Sequence, residues 1–307
     1  MRVNKKLCLQ GMAWLSVVAT VATVALRSWL LPTLRDGDTG LFASGTAVIA
    51  LLVAVLVALA VLGYLGRGNR REVVSPASMW VSVSLLLGGG LVLVSSLWDV
   101  WQWVSLETLP APVASADSTL GLVAAALQVA LGTLGGGVLV CLGLELLSEG
   151  STRRGMAGWS MLMPVLYLWV RLARYEMSYV SAVRLSQSFY DVLMFVLELL
   201  FLFALARYIT GAGKVGAGRM QFLSCATAVF ALSAPLVRLV MYLIGDTAAY
   251  AADVSVGLVD VGVGILALVL AFALPCGAVE VQVSVFAEES SEEFVEDCLS
   301  TEEERVE

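Results

Sequence analysis

The sequence predicts an all-α, polytopic transmembrane helix bundle of about eight spans with both termini in the cytoplasm, on three observations. Hydrophobic residues make up 59% of the 307-residue chain and charged residues 14%, whereas a soluble domain carries roughly 25% charged residues. The apolar residues gather into runs of bilayer length. The basic residues between those runs fall mainly on alternate connections.

A helix needs about 20 apolar residues to cross a hydrocarbon core of roughly 30 Å, because lipid offers no partner to unpaired backbone groups. Clear runs extend from Leu7 to Leu26, Leu41 to Leu65, Ala77 to Trp98, Leu120 to Leu147, Gln221 to Ile244 and Val254 to Leu274. Two weaker ones complete the set: Met156 to Leu172, and Phe189 to Ala206 with its two acids. The first run follows Lys5 and Lys6 and contains Ala19, Ala22 and Ala25, features shared with a signal peptide. Its length exceeds the roughly 7 to 15 apolar residues of such a segment, so a retained span is expected.

Lysine and arginine near span ends are retained on the cytoplasmic side. Arg2, Lys5, Lys6, Arg67, Arg70, Arg71, Arg153, Arg154, Arg207, Lys214 and Arg219 mark one side. The opposite connections hold Arg27 and Arg35 beside Asp36 and Asp38, and then no base between Trp98 and Leu120 or between Ile244 and Val254. Arg171, Arg174 and Arg184 break the alternation, because this parsing puts them outside. Trp98, Trp101 and Trp103 cluster where the third span is expected to leave the bilayer, as an interfacial aromatic belt does.

Residues 1–275 thus form the bundle, and 276–307 form an acidic tail expected to be disordered in the cytoplasm. From Glu280 onward the tail holds 11 of the 25 acids and one base, so the net charge of -7 belongs to it. Phe286, Phe294, Val295 and Leu299 suit a docking motif for a cytoplasmic protein, against the plainer reading of a solvated tail. The other expected partners are the lipid bilayer and a small polar ligand or ion; nothing reads as nucleic-acid binding.

Histidine is absent, which removes the commonest general base and metal ligand. Cys8, Cys141, Cys225, Cys276 and Cys298 are scattered and form no CxxC pair, so no metal site, cofactor or disulfide framework is expected. Gly211 to Gly218 reads GAGKVGAG, but Val215 follows Lys214 where a phosphate-binding loop needs Ser or Thr. A flexible basic loop explains it. Gly88 to Gly90 and Gly132, Gly135, Gly136 and Gly137 lie within the third and fourth spans, and Gly132 with Gly136 has the spacing that lets helices pack closely.

Charges inside spans carry the functional information. Asp191 and Glu198 lie in the sixth, Arg238 in the seventh and Asp260 in the eighth, with Gln128 and Glu145 in the fourth. Each ionised group at a span centre costs about 2.5 to 3.5 kcal/mol, so such groups face the interior and find partners. At a rise of about 1.5 Å per residue, Asp191 and Arg238 sit roughly 9 Å and Asp260 roughly 6 Å toward the outer face. Glu198 lies deeper, on the helical face of Asp191. The expected arrangement has Arg238 bridging Asp191 and Asp260, as an ion-paired staple or as the entry site of a proton, cation or small polar ligand.

The stretches PVLYLWVRLAR from Pro164 and SQSFYDVLMFVLELLFLFALAR from Ser186 resemble multi-span membrane proteins of gut Firmicutes that have no assigned function, over about the C-terminal half. The matching residues are Pro164, Arg171, Ser186, Ser188, Asp191, Phe203 and Arg207. The resemblance implies a bacterial cytoplasmic membrane and transfers no catalytic or binding residue. A small transporter or permease-like protein is the leading expectation, because several spans with charges at a shared depth suit a polar pathway. A membrane-anchored sensor or assembly factor, with structural intramembrane charges, is the second. An enzyme is not expected, because no nucleophile or metal motif is present.

Overall fold

The computed structural model describes residues 5–34, 46–65, 79–105, 119–147, 159–177, 185–209, 217–244 and 254–276. All of these except Trp159 are helical, so the described chain is all-α. In chain order the helices are α1 Lys5–Leu34, α2 Thr46–Leu65, α3 Met79–Ser105, α4 Thr119–Leu147, α5 Met163–Met177, α6 Leu185–Ile209, α7 Ala217–Ile244 and α8 Val254–Cys276. The expected docking motif in the tail, the GAGKVG portion of the glycine-rich loop, and Arg35, Asp36, Asp38 and Arg184 lie outside the described residues.

Long runs of Leu, Val and Ala satisfy their backbone hydrogen bonds internally as helix, the one open form that apolar surroundings permit. Six helical stretches are long and apolar enough to cross a membrane: Leu7–Trp29, Met79–Trp101, Val123–Leu147, Tyr190–Ile209, Gly218–Ile244 and Gly257–Leu274. These suit a multi-pass membrane protein. The described apolar part of α2, Ala50–Leu65, is shorter. α5 has 15 residues, about 22 Å of helix. The 3-10 turn Ser160–Leu162 runs directly into it and adds about 6 Å.

Two boundaries differ from the sequence expectation. α1 continues past Leu26 to Leu34, so Arg27 is a helix residue and not a loop residue. α5 lies further along the chain than Met156 to Leu172 and takes in both Arg171 and Arg174. The expected spans stopped just short of Arg27 and of Arg174, whereas the helices run on through both, where Tyr190 and Gln128 on neighbouring helices offer them partners.

Side-chain contacts fix the directions. Gly89 meets Gly136 and Leu139, while Gly143 meets Ser82 and Leu86, so α3 and α4 are antiparallel. Gly135 against Pro164 and Gly132 against Tyr167 make α4 and α5 antiparallel. Tyr175 with Asp191 and Arg171 with Glu198 do so for α5 and α6. Thr227 bonds the Leu197 carbonyl and Tyr190 the Phe230 carbonyl, which sets α6 against α7. Gln221 bonds Ala271 and Gly264 touches Leu232, setting α7 against α8. Finally Gly88 meets Gly262 and Leu266, while Gly262 also meets Leu91, so α8 closes antiparallel onto α3. The helices α3 to α8 thus form a ring, with α1 packed on α7 and α8 and α2 packed on α1 and α7.

The polarity of the bundle is that of a protein in lipid. Val18, Val21, Val53, Val57, Leu87, Val94, Leu127, Leu134 and Leu239 point outward and exposed, whereas Ser16, Thr20, Ser82, Ser84, Ser96, Gln221, Ser224 and Thr227 are buried. Such an apolar exterior is a solvent-facing surface only where the solvent is hydrocarbon. Exposed Trp29, Trp98, Trp101 and Tyr242 stand at one end of the bundle and Tyr64, Trp80 and Trp159 at the other, as two interfacial belts.

Close approach between helices is made by glycine. A Cβ on Gly89 would lie 2.8 Å from the Gly136 carbonyl oxygen, and one on Gly136 would lie 2.9 Å from that of Gly89. A Cβ on Gly132 would run into Ser96 and Tyr167. Gly90 and Gly137, next in sequence, face open space. The buried amide of Gln221 donates 3.2 Å to the Leu9 carbonyl and 2.7 Å to that of Ala271, tying α1 and α8 to α7.

Candidate intramembrane charge site

The charged residues of the spans converge on α5, which brings Arg171 into the bundle. Arg171 is buried at 5% exposure, and its Nη2 lies 2.6 Å from Asp260 Oδ1 on α8 while its Nη1 lies 3.6 Å from Glu198 Oε2 on α6. Both acids are at 0% exposure. The guanidinium also stands 4.6 Å from the Phe195 ring centroid. Phe195 and Glu198 are three residues apart, on one face of α6, so a single helix supplies a π-face and a carboxylate to the same cation.

The bridge expected of Arg238 therefore belongs to Arg171, and it joins Glu198 to Asp260 and not Asp191 to Asp260. Among the described residues Arg238 makes no ion pair within 4.0 Å, although it is within electrostatic reach of Asp191 and Asp260. The deeper acid, Glu198, is thus part of the ion-paired group. The sequence did mark Arg171: it is one of the arginines that broke the positive-inside alternation. That rule counts charges in loops, and Arg171 is a buried helix residue that the rule does not govern.

Asp191 belongs to a second polar group nearer the aromatic belt of Trp29, Trp98 and Trp101. Its Oδ2 accepts a hydrogen bond of 3.1 Å from the Tyr175 hydroxyl. Arg27 of α1 and Arg238 of α7 both act on it electrostatically. Arg27 lies 4.1 Å over the ring of Tyr190. The Tyr190 hydroxyl donates 3.0 Å to the Phe230 carbonyl and contacts the Ser233 hydroxyl. This interaction sits one turn before Pro235, which cannot donate a backbone hydrogen bond within α7.

Gln128 of α4 belongs to a third group. Its amide donates to Asp99 at 3.5 Å, and its carbonyl oxygen accepts 3.1 Å from Arg174. The second irregular arginine thereby also finds its partner inside the bundle.

The chemistry of the site follows from its charge count. Arg171 is the one base among the described residues within electrostatic reach of Glu198, and it is already held by Asp260 at the shorter distance. The side-chain oxygens of Glu198 and of Asp260 are buried alike, and what sets the two acids apart is their distance from the shared guanidinium, 3.6 Å against 2.6 Å. Among the described residues no group of three or more metal-ligating side chains occurs. Compared with protein-family models, with curated proteins and with solved structures, the chain matches none.

Proposed function

We propose that this is a small permease-like transporter of a bacterial cytoplasmic membrane, moving an ion or small polar solute through the ring α3 to α8. One observation carries the reading: Arg171 lies between two fully buried carboxyl groups, Glu198 and Asp260, contributed by different helices. A staple that only fixes helix register needs one acid for each base. A second, fully buried acid that must share this base is a cost that a purely structural site has no reason to carry.

The alternation of helix directions supports eight crossings with both termini on one side. α3 is antiparallel to α8 and α8 to α7, so α3 and α7 run the same way. Gln221 reaches Leu9, while Thr20, Val24 and Ser28 lie beside Leu236 and Val240, so α1 runs the same way as well. The chain can leave α1 at one face and enter α3 at the other only if α2 brings it back. α5 does the same between the parallel helices α4 and α6. The basic connections then place both termini in the cytoplasm.

The test is water access to the site. Val263 is buried one turn beyond Asp260 on α8. In a variant lacking the native cysteines, Val263→Cys in native membranes is expected to react with a water-soluble, membrane-impermeant thiol reagent. Flux of labelled polar solutes into proteoliposomes is expected to be lost in Glu198→Gln at unchanged yield. A site closed to the reagent from both sides, together with solute-tight proteoliposomes, would overturn the proposal.

A further inference from the structure

We infer that Glu198 carries one exchangeable proton, which makes the Arg171 site a proton-binding site and the permease reading, on which this rests, a proton-coupled one. The inference begins with geometry. The Asp260 carboxylate takes the guanidinium at 2.6 Å, and Glu198 stands 3.6 Å from it. At 0% exposure both carboxyl groups are removed from bulk solvent, so the charge they carry falls on the shared guanidinium.

The surroundings of Glu198 offer no second base. α5 presents Arg171 and the buried Tyr167. α8 presents Asp260, a like charge. Of the two bases of α7, Arg238 reaches Asp260 and Asp191, and neither it nor Arg219 acts on Glu198. The 3-10 turn Ser160–Leu162 holds no titratable side chain. On α6 itself the next charge is Asp191, seven residues earlier and bonded to Tyr175. Ionised Glu198 would thus share its base with Asp260, which is already the closer partner.

A proton meets this need where a metal cation does not. A hard cation takes a shell of about six or more oxygens. Here the two carboxyl groups share a guanidinium that stands over the Phe195 ring, and no larger ligand cluster occurs among the described residues. A proton needs only one Oε atom of Glu198. Its release transfers H⁺ from the Glu198 carboxyl to a water entering the site. The carboxylate left behind is then balanced by Arg171, shared with Asp260, until H⁺ returns. No other bond forms or breaks, and no redox partner is required.

The experiment is infrared spectroscopy of the purified full chain in lipid nanodiscs at neutral pH. A neutral carboxylic acid gives a carbonyl stretch above the amide band, which shifts in D2O. That band is expected in the wild type, unchanged when sodium chloride is replaced by choline chloride. It is expected to be lost in Glu198→Gln and kept in Asp191→Asn. Should Glu198→Gln fail to fold, Glu198→Asp is expected to keep the band at a shifted frequency. Absence of the band in the wild type, its survival in Glu198→Gln, or its disappearance on adding sodium would each overturn the inference. A protonated Glu198 in a protein that moves no solute would instead overturn the transport reading alone. Solute flux with an ionised Glu198 would do the reverse.

Discussion

Arg171 is the residue on which the bundle interior turns, because its removal would leave Asp260 and Glu198 as neighbouring carboxyl groups with no guanidinium between them. Taking one partner out of a buried ion pair costs about 3 to 5 kcal/mol, most of it the penalty of the charge left behind. Arg171→Leu is therefore expected to lower the thermal midpoint of the purified protein sharply. The triple variant Arg171→Leu with Glu198→Gln and Asp260→Asn is expected to recover most of that loss in the same melt. Arg238→Leu makes a useful contrast. With no described ion pair to break, it should cost less than Arg171→Leu, and equal losses would show that Arg238 is as deeply committed as Arg171. The acids of this site were readable from the chain: Glu198 and Asp260 are ionisable residues in apolar runs. Their base was not, because Arg171 falls at the last turn of the expected fifth span, Met156 to Leu172, and so read as a residue of the span end and not of the interior.

At the scale of the element, packing rests on which side of a helix each glycine faces. Gly136 meets the Gly89 carbonyl, whereas Gly137 meets nothing within 4 Å. Gly136→Ala is expected to push α3 and α4 apart and lower the melting temperature. Gly137→Ala should be neutral or gain up to about 1 kcal/mol from helix propensity. Thermal unfolding of both variants in one detergent checks the pair, and a loss at Gly137 equal to that at Gly136 would contradict the interface. Spacing alone suggested Gly132 and Gly136 as packing residues, but it gave no means of choosing Gly89 as the counterpart of Gly136, or Ser96 and Tyr167 as those of Gly132. Helix rotation is set by the neighbour, so a glycine-rich run holds that information only once the partner helix is in place.

For the whole molecule, the direction of each helix is the property that connects fold to topology. With the N-terminus in the cytoplasm, connection 66–78 lies in the cytoplasm and 106–118 outside if α2 crosses; if it does not, the two exchange sides. Fusing alkaline phosphatase after residues in each connection, with a fluorescent protein as the complementary reporter, distinguishes these outcomes. Phosphatase activity is expected at 106–118 and fluorescence at 66–78. The reverse pattern would remove the crossing by α2 and undo the argument from parallel α1 and α3.

Composition and run length determined by themselves that this chain is helical and built from segments of bilayer length, because the cost of an unsatisfied backbone in lipid leaves little else open. The sequence also determined which acids the interior must accommodate, since an ionisable group in an apolar run is conspicuous wherever it falls. Only the tertiary structure decided that α3 to α8 close into a ring, that Arg27 and Arg171 are interior residues, and that Asp260 holds the guanidinium more tightly than Glu198 does. Those outcomes depend on which faces of distant helices meet. A guanidinium reads as a span terminator along the chain and becomes a core residue only when a neighbouring helix supplies its counter-charge.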